Sequence, residues 1–209
     1  MARQYCGQVG KQDNCQVAVS LWDANDMASL PIAWRLYLPQ VWVDDPERRG
    51  KAKVPDDITF QTKPRIALEQ IKTAQAPGIA PGVILADAGY GADSGFRAGV
   101  AELGLTYVVG VQSTLSVWRP GEGPLPPKPW SGKGRPTSRL RRDADHQPVW
   151  AKALAEALPA EAWRTITWRE GTNTDLKSRF AAVRLRPASR DFNRSEAHEE
   201  EWLLIEWPE

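Results

Sequence analysis

The sequence is poor in the residues that staple or metallate small proteins. It has two cysteines, Cys6 and Cys15, and two histidines, His146 and His198, in 209 residues. Two cysteines cannot build the disulfide framework of a small secreted fold. They flank the turn-like stretch VGKQDN, so they are positioned to face each other across a hairpin as reduced, structural thiols. The histidines are far apart and lack partners at zinc-ligand spacing. No apolar run approaches membrane-spanning length and no targeting segment opens the chain, so the cytoplasm is the default location. Charge of either sign is not in excess: the formal net charge is +1. A nucleic-acid partner would therefore have to be met by local basic patches.

Tryptophan, by contrast, is abundant. There are ten, against four Phe and four Tyr. Core or interface packing is the common use of so many indoles, and base stacking the rarer one. Hydrophobic residues at 42% and charged residues at 25% give an ordinary soluble composition.

Periodicity divides the chain. ARQYCGQVGKQDNCQVAVSLWD has the period-two pattern and turn residues of a hairpin, and PIAWRLYLPQVW that of a strand with Ile32, Trp34, Leu36 and Leu38 on one face. DDPERRGKAKVPDD is a charged connection. KPRIALEQIKTAQAPG is a helix with Ile66, Leu68, Ile71 and Ala74 as its stripe, ended by Pro77-Gly78. Strand GVILAD, helix DSGFRAGVAELG and strand LTYVVGVQ follow. Strands leading into alternating strands and helices predict an α/β fold with a mixed sheet and flanking helices. After Gln112 a loop rich in Pro, Gly and basic residues precedes a short helix, PVWAKALAEALPAEAW. A strand pair around the polar turn Gly171 to Asn173 and a last strand, EEWLLIEWPE, complete the chain. The chain enters a hairpin at once and ends on a strand, which suggests an incomplete domain.

Asp87 closes an apolar strand, followed by Ala88, Gly89, Tyr90 and Gly91. Ligands of α/β sheets gather beyond the carboxyl ends of strands. A carboxylate there offers the hard oxygen that Mg²⁺ prefers, and small neighbours let a phosphate backbone approach. The same residue would equally serve as a turn or a cap for local amides. Asp93 reads as the N-cap of the next helix. Two-metal phosphoryl chemistry needs several converging carboxylates, and only Asp87 is well placed. Asp23, Asp26, Asp44, Asp45, Asp56 and Asp57 read as solvated turn residues, and Glu201 and Glu206 belong to the last strand.

Between Lys128 and Arg142 lie six basic residues and no acidic one: Lys128, Lys133, Arg135, Arg139, Arg141 and Arg142, with Trp130 among them. Such a loop is either a cationic arm for DNA phosphates or a solvated face.

The stretches ARQYCGQVGKQDNCQVAVSLW, AWRLYLPQVW, TKPRIALEQI, VILADAGYG, LGLTYVVGVQ, REGTNTDLKSRFAAVRLRPASRD and EEWLLIEWP together resemble the central part of a DDE-type insertion-sequence transposase. The resemblance implies an RNase H-like catalytic core over residues 1–112. Residues 113–209 would then be an inserted basic loop, a short helix and a β-rich region ending in a strand. The family's Asp-x-Gly-aromatic signature is Asp87-Ala88-Gly89-Tyr90 here, which makes Asp87 a catalytic and metal-binding residue for Mg²⁺ or Mn²⁺. The family's first aspartate and final glutamate have no counterpart, so the chain holds one of three catalytic carboxylates and is expected to be inactive alone. The implied partner is DNA, both element ends and target, with a homodimer in the complete enzyme and a bacterial cytoplasm or nucleoid location. Trp163 and Trp168, in the inserted region, become candidates for stacking on an unpaired base beside their packing role. Two alternatives remain open: a non-catalytic DNA-binding or inhibitory fragment, and a small-molecule α/β enzyme. The second lacks a G-x-G-x-x-G or Walker signature.

Overall fold

A computed structural model describes residues 2–75, 79–80, 82–169 and 176–207, without the side chains of residues 168 and 169. The chain divides into two compact units, Met1–Val111 and Gln112–Glu209.

The first unit opens with two hairpins rather than the single one its sequence suggests. β1 (Ala2–Cys6) pairs with β2 (Lys11–Cys15), and β3 (Ala18–Ala24) with β4 (Ser29–Leu36), both antiparallel. Cys6 lies opposite Lys11 and Cys15 opposite Ala2, so the two thiols do not face each other, and both are free. In β4, Trp34 and Leu36 are 64% and 55% exposed, not buried beside Ile32. The cause is Arg35, whose Nη1 donates to Glu69 Oε2 at 2.7 Å. A strand alternates, so the neighbours of an inward Arg35 must face outward. After a short helical turn, α1 (Gln40–Val43), the charged connection holds a helix its composition hides, α2 (Pro46–Ala52). Asp45 caps it by accepting the Arg48 N–H at 2.9 Å, and Pro46 fits the first position because its missing N–H is not needed there.

The expected long helix forms as α3 (Lys63–Gln75). Ile66, Leu68 and Ile71 are buried, and the expected Pro77-Gly78 stop lies outside the described residues. Next come β5 (Ile84–Ala86), α4 (Ala88–Gly91), α5 (Ser94–Glu102) and β6 (Tyr107–Val109). Leu68 and Ile71 of α3 form the core with Phe96 and Val100 of α5. Gly99 permits this approach, since a Cβ there would sit 2.4 Å from Leu68 Cδ2. β5 and β6 run parallel, with Ile84 opposite Tyr107 and Ala86 opposite Val109. The unit is thus α/β with several sheets. The expected mixed sheet is not continuous: the antiparallel β3–β4 ladder and the parallel β5–β6 ladder are separate, because a groove separates β3 from β5.

The second unit is built on β10 (Leu176–Pro187), the longest strand described. Before it come β7 (Ser116–Trp118), β8 (Val149–Trp150), α6 (Ala151–Glu156) and β9 (Arg164–Arg169), and after it β11 (Glu201–Trp207). The sheet order is β11-β10-β7-β8, with β9 also paired to β10. The expected polar turn at Gly171 to Asn173 lies outside the described residues. Val117, Leu154, Val183 and Leu185 form the core. Alternation along β10 buries Ala181, Val183 and Leu185 on one face.

Candidate functional site

Asp87 follows β5 directly and caps α4. Its Oδ1 accepts the Gly89 N–H at 2.8 Å, and its backbone carbonyl accepts the N–H groups of Tyr90 and Gly91. The residue is exposed, and its second oxygen has no partner among the described residues. The turn beneath it is fixed from two sides. Arg97, buried in α5, donates to the Gly91 carbonyl. Gly91 itself lies so close to the end of β6 that a Cβ would fall 1.8 Å from the Gly110 carbonyl oxygen. Tyr90 packs on Phe96 with ring centroids 5.7 Å apart. Burial, and secondarily the Asp87 charge, raise the Tyr90 hydroxyl pKa above its ordinary value of 10.0. The Tyr90 hydroxyl therefore stays protonated near neutral pH.

One carboxylate oxygen held by its own turn and one facing solvent can supply a single hard ligand. Among the described residues no group of three or more His, Cys, Asp or Glu side chains gathers to hold a metal. Asp87 thus fits one ligand position, and the described residues do not complete a two-metal centre. Asp93 is the N-cap of α5, accepting the Phe96 N–H at 2.8 Å.

The basic loop separates into a base and a tip. A bridge between Leu125 and Arg141 closes the base, where Arg141 donates to the Pro126 carbonyl and lies 3.7 Å from Asp143. Arg142 turns inward: its Nη2 meets Asp191 Oδ1 at 2.6 Å and the Ala188 carbonyl at 2.7 Å, and its guanidinium lies over Trp118. Lys128, Lys133, Arg135 and Arg139 lie on the exposed tip and have no carboxylate partner among the described residues. Trp130 is exposed, with its indole N–H donated to the Gly134 carbonyl. Trp163 packs edge-on to Trp207 at 6.0 Å and under Arg179. The backbone of Trp168 belongs to β9, and its side chain lies outside the described ones.

Asp191 is a residue that sequence reasoning missed. It is fully buried and accepts both Arg142 and the Trp118 indole N–H, the latter at 2.8 Å. Its partners are 49 and 73 residues away, so no local pattern announces it. Glu69 is another. It takes hydrogen bonds from Arg35, Arg65 and Gln61. Burial pushes its pKa up, but these bonds outweigh burial and hold it below the ordinary 4.5.

A carboxylate beyond a strand tip and an unpaired cationic loop agree with what sequence comparison finds. The profile of the DDE superfamily endonuclease family matches residues 1–175, and the chain belongs to that family. Endonucleases of this family generally use divalent metal ions. Over 113 residues the chain is 34% identical to the "Probable transposase for insertion sequence element IS701" of Microchaete diplosiphon. The alignment covers 53% of this chain and 27% of that relative, so the chain spans about a quarter of the relative's length. No solved structure matches. Among the described residues, no helix is long and apolar enough to cross a membrane.

Proposed function

We propose that the chain supplies part of the active site and part of the DNA-binding surface of a DDE-type insertion-sequence transposase. In this reading residues 1–112 are a partial RNase H-like core and residues 113–209 an inserted region. Asp87 is the chain's one catalytic carboxylate and one ligand of Mg²⁺ or Mn²⁺. The observation that carries the reading is the Asp87 carboxylate itself, with one oxygen fixed by Gly89 and the other free beyond a strand tip. A carboxylate so held is oriented before any ion arrives. Phosphodiester hydrolysis and strand transfer belong to the complete site, and Asp87 does not perform them alone. The remaining ligands come from outside the described residues, in an assembly that includes a homodimer, working in the bacterial cytoplasm or nucleoid.

DNA meets the tip of the basic loop through Lys128, Lys133, Arg135 and Arg139, whose unpaired charges favour phosphates over internal carboxylates. Arg141 and Arg142 hold the loop's base, Trp130 is its exposed aromatic, and Trp163 and Trp168 flank the element's end.

In a full-length family member with the same Asp-x-Gly-aromatic turn, alanine in place of that aspartate abolishes strand transfer and leaves DNA affinity within about twofold. Unchanged strand transfer would reject the role. A second reading, a DNA-binding chain that inhibits complete transposases, is favoured by the lack of a clustered acidic triad among the described residues. It predicts that adding this chain to an active transposase slows transposition without cleavage of its own.

A further inference from the structure

A groove of about 350 Å³ runs through the first unit between β3 and β5. Its walls are Ser20, Trp22 and Ala24 on one side and Val83 and Leu85 on the other, and Ile71 and Ala74 of α3 also line it. Both walls are open strand edges. β3 bonds to β4 alone and β5 to β6 alone. The β5 ladder uses the Ile84 N–H, given to Thr106, and the Ala86 carbonyl, which accepts from Gly110. Strand geometry then turns the backbone groups of Leu85 the other way, toward the groove. On β3 the Val17 carbonyl accepts from Tyr37, so alternate residues such as Ser20 point their N–H and C=O away from β4. At the adjoining position of β3, Gln70 donates to the Val19 carbonyl while its own buried Oε1 has no partner.

We propose that this groove seats one extended apolar strand from another polypeptide, which bonds to β3 and β5 together and joins the two ladders into one sheet. Two facing rows of unpaired amide groups are the chemistry of strand addition, in which main-chain bonds give affinity and alternate side chains fill pockets. Asp23 is the one charged residue in the lining, so neither nucleic acid nor a small anion suits it. A second copy of this chain is a poor source, because every described strand is already paired. The outer face of the completed sheet would continue across Trp22, Trp34, Leu85 and Val108, all exposed now. The inference depends neither on the role of Asp87 nor on DNA.

The test is amide hydrogen exchange by NMR on the 209-residue chain, with a capped hexapeptide alternating valine and threonine as the probe. The same peptide with a central proline is the control. Alone, Leu85 and Ser20 exchange freely while Ile84 is protected. The peptide slows Leu85 and Ser20 at least about tenfold, the proline peptide does not, and Ala74→Glu removes the effect while Ile84 stays protected. Three results would overturn the proposal. The Leu85 amide could be protected without peptide, meaning the groove is closed. Its protection could rise with protein concentration alone, making a second copy the occupant. Or the valine-threonine peptide could leave both amides unchanged up to millimolar concentration.

Discussion

Each unit presents one aspartate that matters, and the two are handled in opposite ways. Asp191 in the second unit is wholly buried, and both its oxygens are engaged, one by Arg142 and one by Trp118. Asp87 in the first unit is exposed, with one oxygen on Gly89 and the other facing solvent. The basic residues divide likewise: Arg142 is locked against Asp191, while Lys128, Lys133, Arg135 and Arg139 stand on the exposed loop tip. Saturated polar groups specify a fold, and oriented but unsaturated ones are left available for a ligand. Composition gives no hint of this division, since both kinds are ordinary Asp, Lys and Arg.

The comparison breaks most sharply at Asp191. Asp191→Ala leaves the Arg142 charge without its counterion and the Trp118 N–H without its acceptor. Removal of one partner of a buried pair costs about 3–5 kcal/mol. Thermal unfolding should show the second unit melting earlier. An unchanged melting profile would mean that the network is not structural. Next in size is Gly91→Ala. The added methyl meets the Gly110 carbonyl, and relieving that overlap costs about 1–3 kcal/mol. Denaturant titration checks the cost, and the amide shifts of Ala88 to Gly91 should move with it.

A smaller effect on stability, but a large one on binding, is expected from reversing Lys128, Lys133, Arg135 and Arg139 to Glu. Stability should stay within about 0.5 kcal/mol per site, as for surface changes. DNA affinity, read by fluorescence anisotropy, should fall, and its logarithmic salt slope should lose about 0.9 per phosphate contact removed. Equal salt slopes before and after would return the loop to a merely solvated face.

The mildest effect concerns acid. Glu69 binds its proton less tightly in the folded chain than in the unfolded one. Its contribution to stability is complete above the ordinary value of 4.5 and fades as pH falls through the lower folded value. Glu69→Gln should flatten the acid side of the first unit's stability curve. An identical acid limb in both proteins would show that the three hydrogen bonds do not set it.

Local signals carried much of the fold. α3 follows from its stripe, β5 from the apolar run before Asp87, and the cap of α5 from Asp93. The start of α2 was equally legible in Asp45-Pro46, but the surrounding charge masked it. What could not be read is set by distance. Arg35 faces inward because Glu69 lies 34 residues away, and that contact reverses the expected faces of Trp34 and Leu36. Arg142 looked like its cationic neighbours until Asp191 supplied a buried partner. For the candidate site, the strand-tip position of Asp87 was local and legible. Its half-satisfied carboxylate required the α4 turn, which no periodicity announces in four residues.

The central claim is that Asp87 holds an oxygen ready for a divalent ion, and paramagnetic broadening by Mn²⁺ tests it most directly. The account predicts that amide signals of Asp87, Ala88 and Gly89 fade first, ahead of those beside the exposed Asp56 and Asp57. It also predicts that Asp87→Asn, which keeps the cap, removes that selectivity. Broadening spread evenly over exposed acidic residues, and unchanged by the substitution, would contradict it.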